Sequence, residues 1–280
     1  MDLVQAKTTF YSTLRPLYTE EELRSLFVIV CERTFNMDRV EVALNPEALI
    51  DDAQKMAFES VLKDLSHSKP IQYIYGVAHF YHSDFKVEPG VLIPRPETEE
   101  LVDIIIKETR IPNPRLLDIG TGSGCIAVSL GKYIPQAQVT ALDISDKALS
   151  VAMANARTHQ VAIALIKDNV LTLEELPDTY DIIVSNPPYV RNLEKEHMQT
   201  NVLDYEPSLA LFVEDTNPLV FYEKIAVLAI KALSSQGVLY FEINQYLGQE
   251  TKTLVENTGF TDVRLIKDFK GCDRFIAARR

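Results

Sequence analysis

An α/β fold, with a mostly parallel sheet covered by helices on both faces and a small helical bundle ahead of it, is predicted by three features of the sequence. From Arg115 onward, short β-branched runs alternate with helical segments. Before residue 69 the chain carries helix caps and apolar residues at helical spacing. Its 280 residues also exceed one ordinary domain of about 150. The expected organisation is a helical domain over 1–68, a linking β-hairpin over 69–92 and the α/β domain over 93–280.

The first helix is expected from Val4 to Leu17. Thr19 and Glu22 form a capping box ahead of Leu23, Leu26, Phe27 and Val30. Asn45-Pro46 reads as an N-cap with proline at the first helical position, followed by an apolar face of Leu49, Ala53, Met56, Ala57, Val61 and Leu65. The segment IQYIYGVAHFYHSDFKV after Pro70 is aromatic and β-branched, which predicts the hairpin. Pro96 is expected to open a helix whose positive end carries Glu97, Glu99 and Glu100. Strands follow at 115–119, 138–142, 162–166, 180–185, 237–243, 261–266 and 273–278, with helices at 124–133, 146–158, 218–233 and 248–257. Ligands of such sheets bind beyond the carboxyl ends of the strands.

Composition narrows the function classes. Lys+Arg 28 against Asp+Glu 40 gives a net charge of -12, a mean field that repels phosphates, so neither direct nucleic-acid binding nor an anionic membrane partner is expected. Cys31, Cys125 and Cys272 are odd in number and far apart, which fits a reducing cytosol better than a disulfide framework or zinc site. The five histidines are scattered, and no metal site is expected. The N-terminus lacks the basic and apolar regions of a signal peptide, and the expected location is cytoplasmic.

The turn after the first strand reads Asp118-Ile-Gly120-Thr121-Gly122-Ser123-Gly124. Glycines permit a tight turn and close approach to a ligand, and Gly122, Gly124 and Ala127 even satisfy a dinucleotide fingerprint. Asp118 argues against that reading: a carboxylate beside a pyrophosphate is unfavourable but suits a ligand bearing an ammonium or sulfonium. S-adenosylmethionine carries both charges and no phosphate. Asp143, which ends the second strand, can accept from both ribose hydroxyls, although an aspartate there also caps helices readily. Asp168, with Asn169, is the candidate for the adenine end.

Asn186-Pro187-Pro188-Tyr189 follows the fourth strand directly. The prolines end the strand and lock a side-chain amide, carbonyls and an aromatic ring in fixed relation. Planar amino groups are poor nucleophiles because the nitrogen lone pair is delocalised. The Asn186 side-chain oxygen and the Pro187 carbonyl can hold such an –NH2 group, with Tyr189 against its flat face. A purely structural Pro-Pro turn is the competing reading.

With PIQYIYG (70–76), VEPGVLIPRPETEELVD (87–103), LDIGTGSGCIAVSL (117–130), SNPPYV (185–190), YEPSLALF (205–212), FEI (241–243) and KDFKGCDRFIAAR (267–279), the sequence resembles the HemK/PrmC-type peptide chain release factor glutamine N5-methyltransferases. The resemblance implies a class I, Rossmann-like methyltransferase sheet using S-adenosylmethionine and releasing S-adenosylhomocysteine. It implies as substrate the glutamine of the Gly-Gly-Gln loop in class-I release factors. It assigns the Gly120–Gly124 turn, Asp143 and the 168/169 pair to the cofactor. Asn186 to Tyr189 fall to the glutamine amide, and Arg95, Pro96 and Glu97 to the pocket border. Two positions depart from the family pattern: His82 stands where glycine is usual, and Asn244 follows Glu242-Ile243 where glycine is usual, both expected to lie away from the chemistry. An adenine N6-methyltransferase on DNA or RNA, and a non-catalytic cofactor-binding adaptor of translation factors, are the alternatives.

Overall fold

The computed structural model describes residues 1–280, which form two compact units: Met1–Gly76 with Gln199–Tyr205, and Val77–Met198 with Glu206–Arg280. The first unit therefore runs to Gly76 rather than 68 and takes in a later segment, and the hairpin belongs to the second unit.

In the first unit, helices Leu3–Leu14, Glu20–Val30 and Asp52–Ser66 enclose Phe10, Phe27, Phe35 and Phe58. The expected Thr19/Glu22 capping box is present, and a second one, Asp51/Gln54, starts the Asp52–Ser66 helix. That start corrects the expectation at Asn45-Pro46. Asn45 closes a short helix, Arg39–Leu44, and Leu49 pairs with Asp2 in an isolated bridge while its side chain stays exposed. The buried face is consequently Phe58, Val61 and Leu65, and Met56 points to solvent. PIQYIYG is not the first arm of the hairpin either. Ile71–Tyr75 is one helical turn closed by Gly76 at φ 70, a left-handed cap that glycine adopts without strain.

The second unit opens with the hairpin Val77–Phe80 and Ser83–Lys86, whose two-residue turn holds Tyr81 and His82 at φ 40 and φ 60. A positive φ at 82 explains why glycine suits that position in the family pattern. Seven strands form the main sheet: β1 (Arg115–Ile119), β2 (Gln138–Asp143), β3 (Ile163–Lys167), β4 (Tyr180–Ser185), β5 (Leu233–Glu242), β6 (Thr261–Lys267) and β7 (Asp273–Arg279). Their order is β6-β7-β5-β4-β1-β2-β3, with β7 antiparallel to both neighbours and the other pairs parallel.

Alternation along the strands divides the core. Leu117, Ile119, Ile183, Leu239 and Phe241 pack under helices Val220–Ala232 and Gly248–Asn257. Leu116, Ile182, Val184 and Tyr240 pack under helices Pro96–Glu108 and Cys125–Tyr133 and the hairpin phenylalanines. Burial of both faces is what makes these strands near-continuous apolar runs. The chain builds β1, β2 and β3 outward on one side, then crosses to place β4 on the other side of β1. The resulting switch point lies at the carboxyl ends of β1 and β4. No helix is long and apolar enough to cross a membrane.

Candidate functional site

A cavity opens at that switch point. Gly120 after β1, Asp143 after β2, Asp168 and Asn169 after β3, and Asn186, Pro187 and Pro188 after β4 all line it. Apart from Ser185 its other walls are apolar, including Leu142 of β2, Val170 and Leu171 beyond β3, Leu209 from the segment after β4 and Phe221 from the Val220–Ala232 helix. The wall residues are invisible to motif reading because they are ordinary apolar side chains, brought together only by the crossover.

The glycine turn is tied to the elements around it. Gly120, Gly122 and Gly124 all have positive φ, at 76, 55 and 78. The amides of Gly120 and Thr121 donate to the Leu142 carbonyl at 2.8 and 3.1 Å, tying the turn to the end of β2. Ser123 is buried, and its carbonyl accepts from Asn155 Nδ2. Asp118 differs from expectation. It is 1% exposed and sits below the turn, where Oδ2 accepts from the Thr121 hydroxyl at 2.7 Å and the Ala127 amide at 3.2 Å. Its Oδ1 is buried without a partner, and burial pushes the carboxyl up to about 7. A side chain at this strand position points into the layer under the Cys125–Tyr133 helix, so its role is to hold the turn and not to line the cavity.

Asp143 is positioned by two backbone donors: Gly122 N to Oδ2 and Ser145 N to Oδ1, both at 2.9 Å. Each carboxylate oxygen keeps acceptor capacity, which fits a vicinal diol. Asp168 Oδ1 accepts from its neighbour's amide at 2.7 Å, and Asn169 Oδ1 accepts from Leu171 N at 3.1 Å. A diol acceptor, an apolar slot and a polar edge at its far end suit a purine nucleoside, so these residues fit the nucleoside half of S-adenosylmethionine.

At the β4 end, Asn186 Nδ2 donates to Thr98 Oγ1 at 3.3 Å, and Thr98 Oγ1 donates to Glu242 Oε2 at 2.6 Å. The Tyr189 hydroxyl donates to Glu242 Oε1 at 3.1 Å, so Tyr189 does not line the cavity but braces the turn from behind. Glu242 is fully buried. Burial raises its carboxyl above the ordinary range, while hydrogen bonds from Thr98 and Tyr189 and the Arg274 charge pull it back. Burial, followed by the Glu242 charge, pushes the Tyr189 phenol up. Asn244 is not remote from this turn, contrary to expectation: its Nδ2 donates to the Tyr189 carbonyl at 3.0 Å and to Glu194 at 2.9 Å. Arg95 and Glu97 do not reach the cavity wall. Arg95 pairs with buried Glu206 at 2.6 Å, and Glu97 pairs with Lys270 at 2.8 Å. Glu242 carried one signal in the sequence, a carboxylate closing an apolar strand just as Asp118 and Asp143 do.

Known proteins share both units. The family model described as the PrmC N-terminal domain matches residues 5–76, and that of the methyltransferase small domain matches 97–205. The release factor glutamine methyltransferase of Flavobacterium psychrophilum is 51% identical over 274 residues, covering 96% of each chain. That of Bacteroides thetaiotaomicron is 45% identical over 272 residues, again 96% of each. A methyltransferase crystal structure from Pyrococcus furiosus superposes with a TM-score of 0.53 at 17% identity, covering 79% of this chain and 96% of that one, a likeness of fold alone. Near-complete coverage at half identity, over a chain that sets an Asn-Pro-Pro-Tyr turn beside a cavity lined by Asp143, Asp168 and Asn169, places this protein in the release factor glutamine methyltransferase family.

Proposed function

We propose that this chain transfers a methyl group from S-adenosylmethionine to the side-chain amide nitrogen (N5) of the glutamine in the Gly-Gly-Gln loop of class-I release factors. The observation that carries the reading is the Asn186 amide, held at the end of β4 on the wall of the cavity and oriented from behind by Thr98. Asp143 takes the ribose hydroxyls and the 168/169 pair the adenine edge. When bound, S-adenosylmethionine supplies an electrophilic methyl on a sulfonium sulfur and leaves as S-adenosylhomocysteine. The amide nitrogen gives up one proton to water as it gains the methyl.

A glutamine amide nitrogen needs two things from the protein: acceptors for its N–H groups and a fixed direction. Asn186 Oδ1 and the Pro187 carbonyl provide the acceptors, which draw electron density toward nitrogen as the new bond forms. Pro187 and Pro188 have little backbone freedom, so the direction is set before substrate arrives. Tyr189, fixed by Glu242 and through its carbonyl by Asn244, keeps the turn from relaxing. The helical unit carries none of these groups, and we assign it to docking of the intact factor.

Turnover with labelled cofactor and three acceptors (a class-I release factor, duplex DNA and ribosomal RNA) tests the reading. Label confined to the factor's glutamine is expected. Label on adenine would contradict it. A short peptide holding the loop should be used far less well than the whole factor, and equal kcat/KM for the two would leave the helical unit no docking role.

A further inference from the structure

We infer that Thr98 and Glu242 are positioning residues which decide the way the Asn186 amide faces, an inference that rests on the function proposed above. Thr98 Oγ1 lies 2.6 Å from Glu242 Oε2 and 3.3 Å from Asn186 Nδ2. A hydroxyl has one proton, and an ionised carboxylate has none to give. With Glu242 ionised, the state that its two hydroxyl donors and the Arg274 charge favour, the Thr98 proton is spent on Glu242, and toward Asn186 the Thr98 oxygen can only accept. That forces the –NH2 end of Asn186 toward Thr98 and leaves Oδ1 as the end free for a substrate amino group.

The arrangement has no slack. Glu242 and Thr98 are 1% and 2% exposed, so water cannot replace either partner. The other carboxylate oxygen accepts from Tyr189, and the Glu242 backbone carbonyl accepts from the Tyr222 hydroxyl at 3.2 Å. A buried carboxylate is costly to fold around, and apolar residues of similar volume usually serve stability as well or better. An inverted Asn186 amide would set N–H against N–H and leave Pro187 as the one remaining acceptor. The relay thus determines the chemistry of the acceptor site without touching the substrate.

The test uses the full chain with an intact release factor, measuring kcat, KM for the factor and cofactor affinity. Thr98→Val keeps the size and removes the acceptor. It is expected to lower kcat by about tenfold or more while KM and cofactor affinity stay within about twofold. Thr98→Ser, which keeps the hydroxyl, is expected to restore kcat. Glu242→Met removes the acceptor at similar volume, frees the Thr98 proton and is expected to match Thr98→Val. In an Asn186→Asp background no amide orientation remains to be set, so adding Thr98→Val should not lower kcat further. Parent-like kcat in either Thr98→Val or Glu242→Met, or an equal loss from Thr98→Val in both backgrounds, would overturn the relay while leaving the glutamine reading in place. Failure of the unsubstituted chain to methylate the factor would remove that reading, and the relay with it.

Discussion

The Gly122 amide donates to the Asp143 carboxylate at 2.9 Å, so the glycine turn after β1 and the acid ending β2 are one unit rather than two independent motifs. Removing the carboxylate frees the turn and, on the proposed assignment, takes away the acceptor for the ribose diol. Asp143→Ala is expected to weaken cofactor binding by about 2–3 kcal/mol, roughly 30- to 150-fold, measured by calorimetry. Equal affinity in variant and parent would move the ribose site elsewhere.

The glycines of that turn separate backbone strain from steric clash. Gly120 and Gly124 share nearly the same φ, 76 and 78, but a Cβ at 120 meets nothing within 4 Å, whereas one at 124 lies 2.9 Å from the Ala152 Cβ. Gly120→Ala should cost about 1–2 kcal/mol of stability from the left-handed backbone alone. Gly124→Ala should cost about 1–3 kcal/mol more, because the Asp146–Thr158 helix must shift. Denaturant midpoints compare them, and equal losses would contradict the clash.

Asp118 makes a pH prediction. Burial raises its folded carboxyl to about 7 from the ordinary 3.8. Between those values the folded protein holds a proton that the unfolded chain has lost, so this group's contribution to stability falls as pH rises from about 4 to about 7. Asp118→Asn can keep the Thr121 and Ala127 bonds on its oxygen and places –NH2 where the unpartnered oxygen lay. Its stability relative to the parent should rise across that window and level off above it, read from unfolding curves at several pH values. A pH-independent difference would mean that Asp118 stays ionised in the fold.

Arg95 and Glu206 bear on how the cavity closes. Glu206 also accepts from Ile93 N at 3.3 Å, and Leu209 and Ala210, just beyond it, line the cavity. Removing the guanidinium leaves a buried carboxylate with one backbone donor. Arg95→Ala is expected to weaken cofactor binding about tenfold, or about 1.4 kcal/mol, by loosening that wall. Unchanged cofactor affinity with a raised KM for the release factor would return Arg95 to the substrate side.

These residues show what a sequence makes legible. The β1 strand, its turn and Asn186-Pro187-Pro188-Tyr189 could be read because apolar runs and their punctuation are adjacent in the chain. Ile71–Tyr75 misled because its aromatic and β-branched residues favour strands in general, while Pro70 and Gly76 confine them to a single helical turn. Asn45-Pro46 misled because a cap-like pair also ends helices, and the Asp51/Gln54 box a few residues later holds the helix start. Thr98 and Glu242 lie 144 residues apart, and nothing in the sequence couples them. Only the strand order that sets β5 next to β4 brings Glu242 behind Asn186.

The central claim is that Asn186 holds the amide nitrogen that receives the methyl. The measurement is single-turnover methyl transfer to the release factor glutamine by Asn186→Ala, with cofactor affinity determined on the same sample. Near-parent cofactor binding is expected, with transfer slowed about 10²- to 10³-fold, roughly 3–4 kcal/mol, and partial recovery in Asn186→Asp. Transfer within a few-fold of the parent in Asn186→Ala would contradict it.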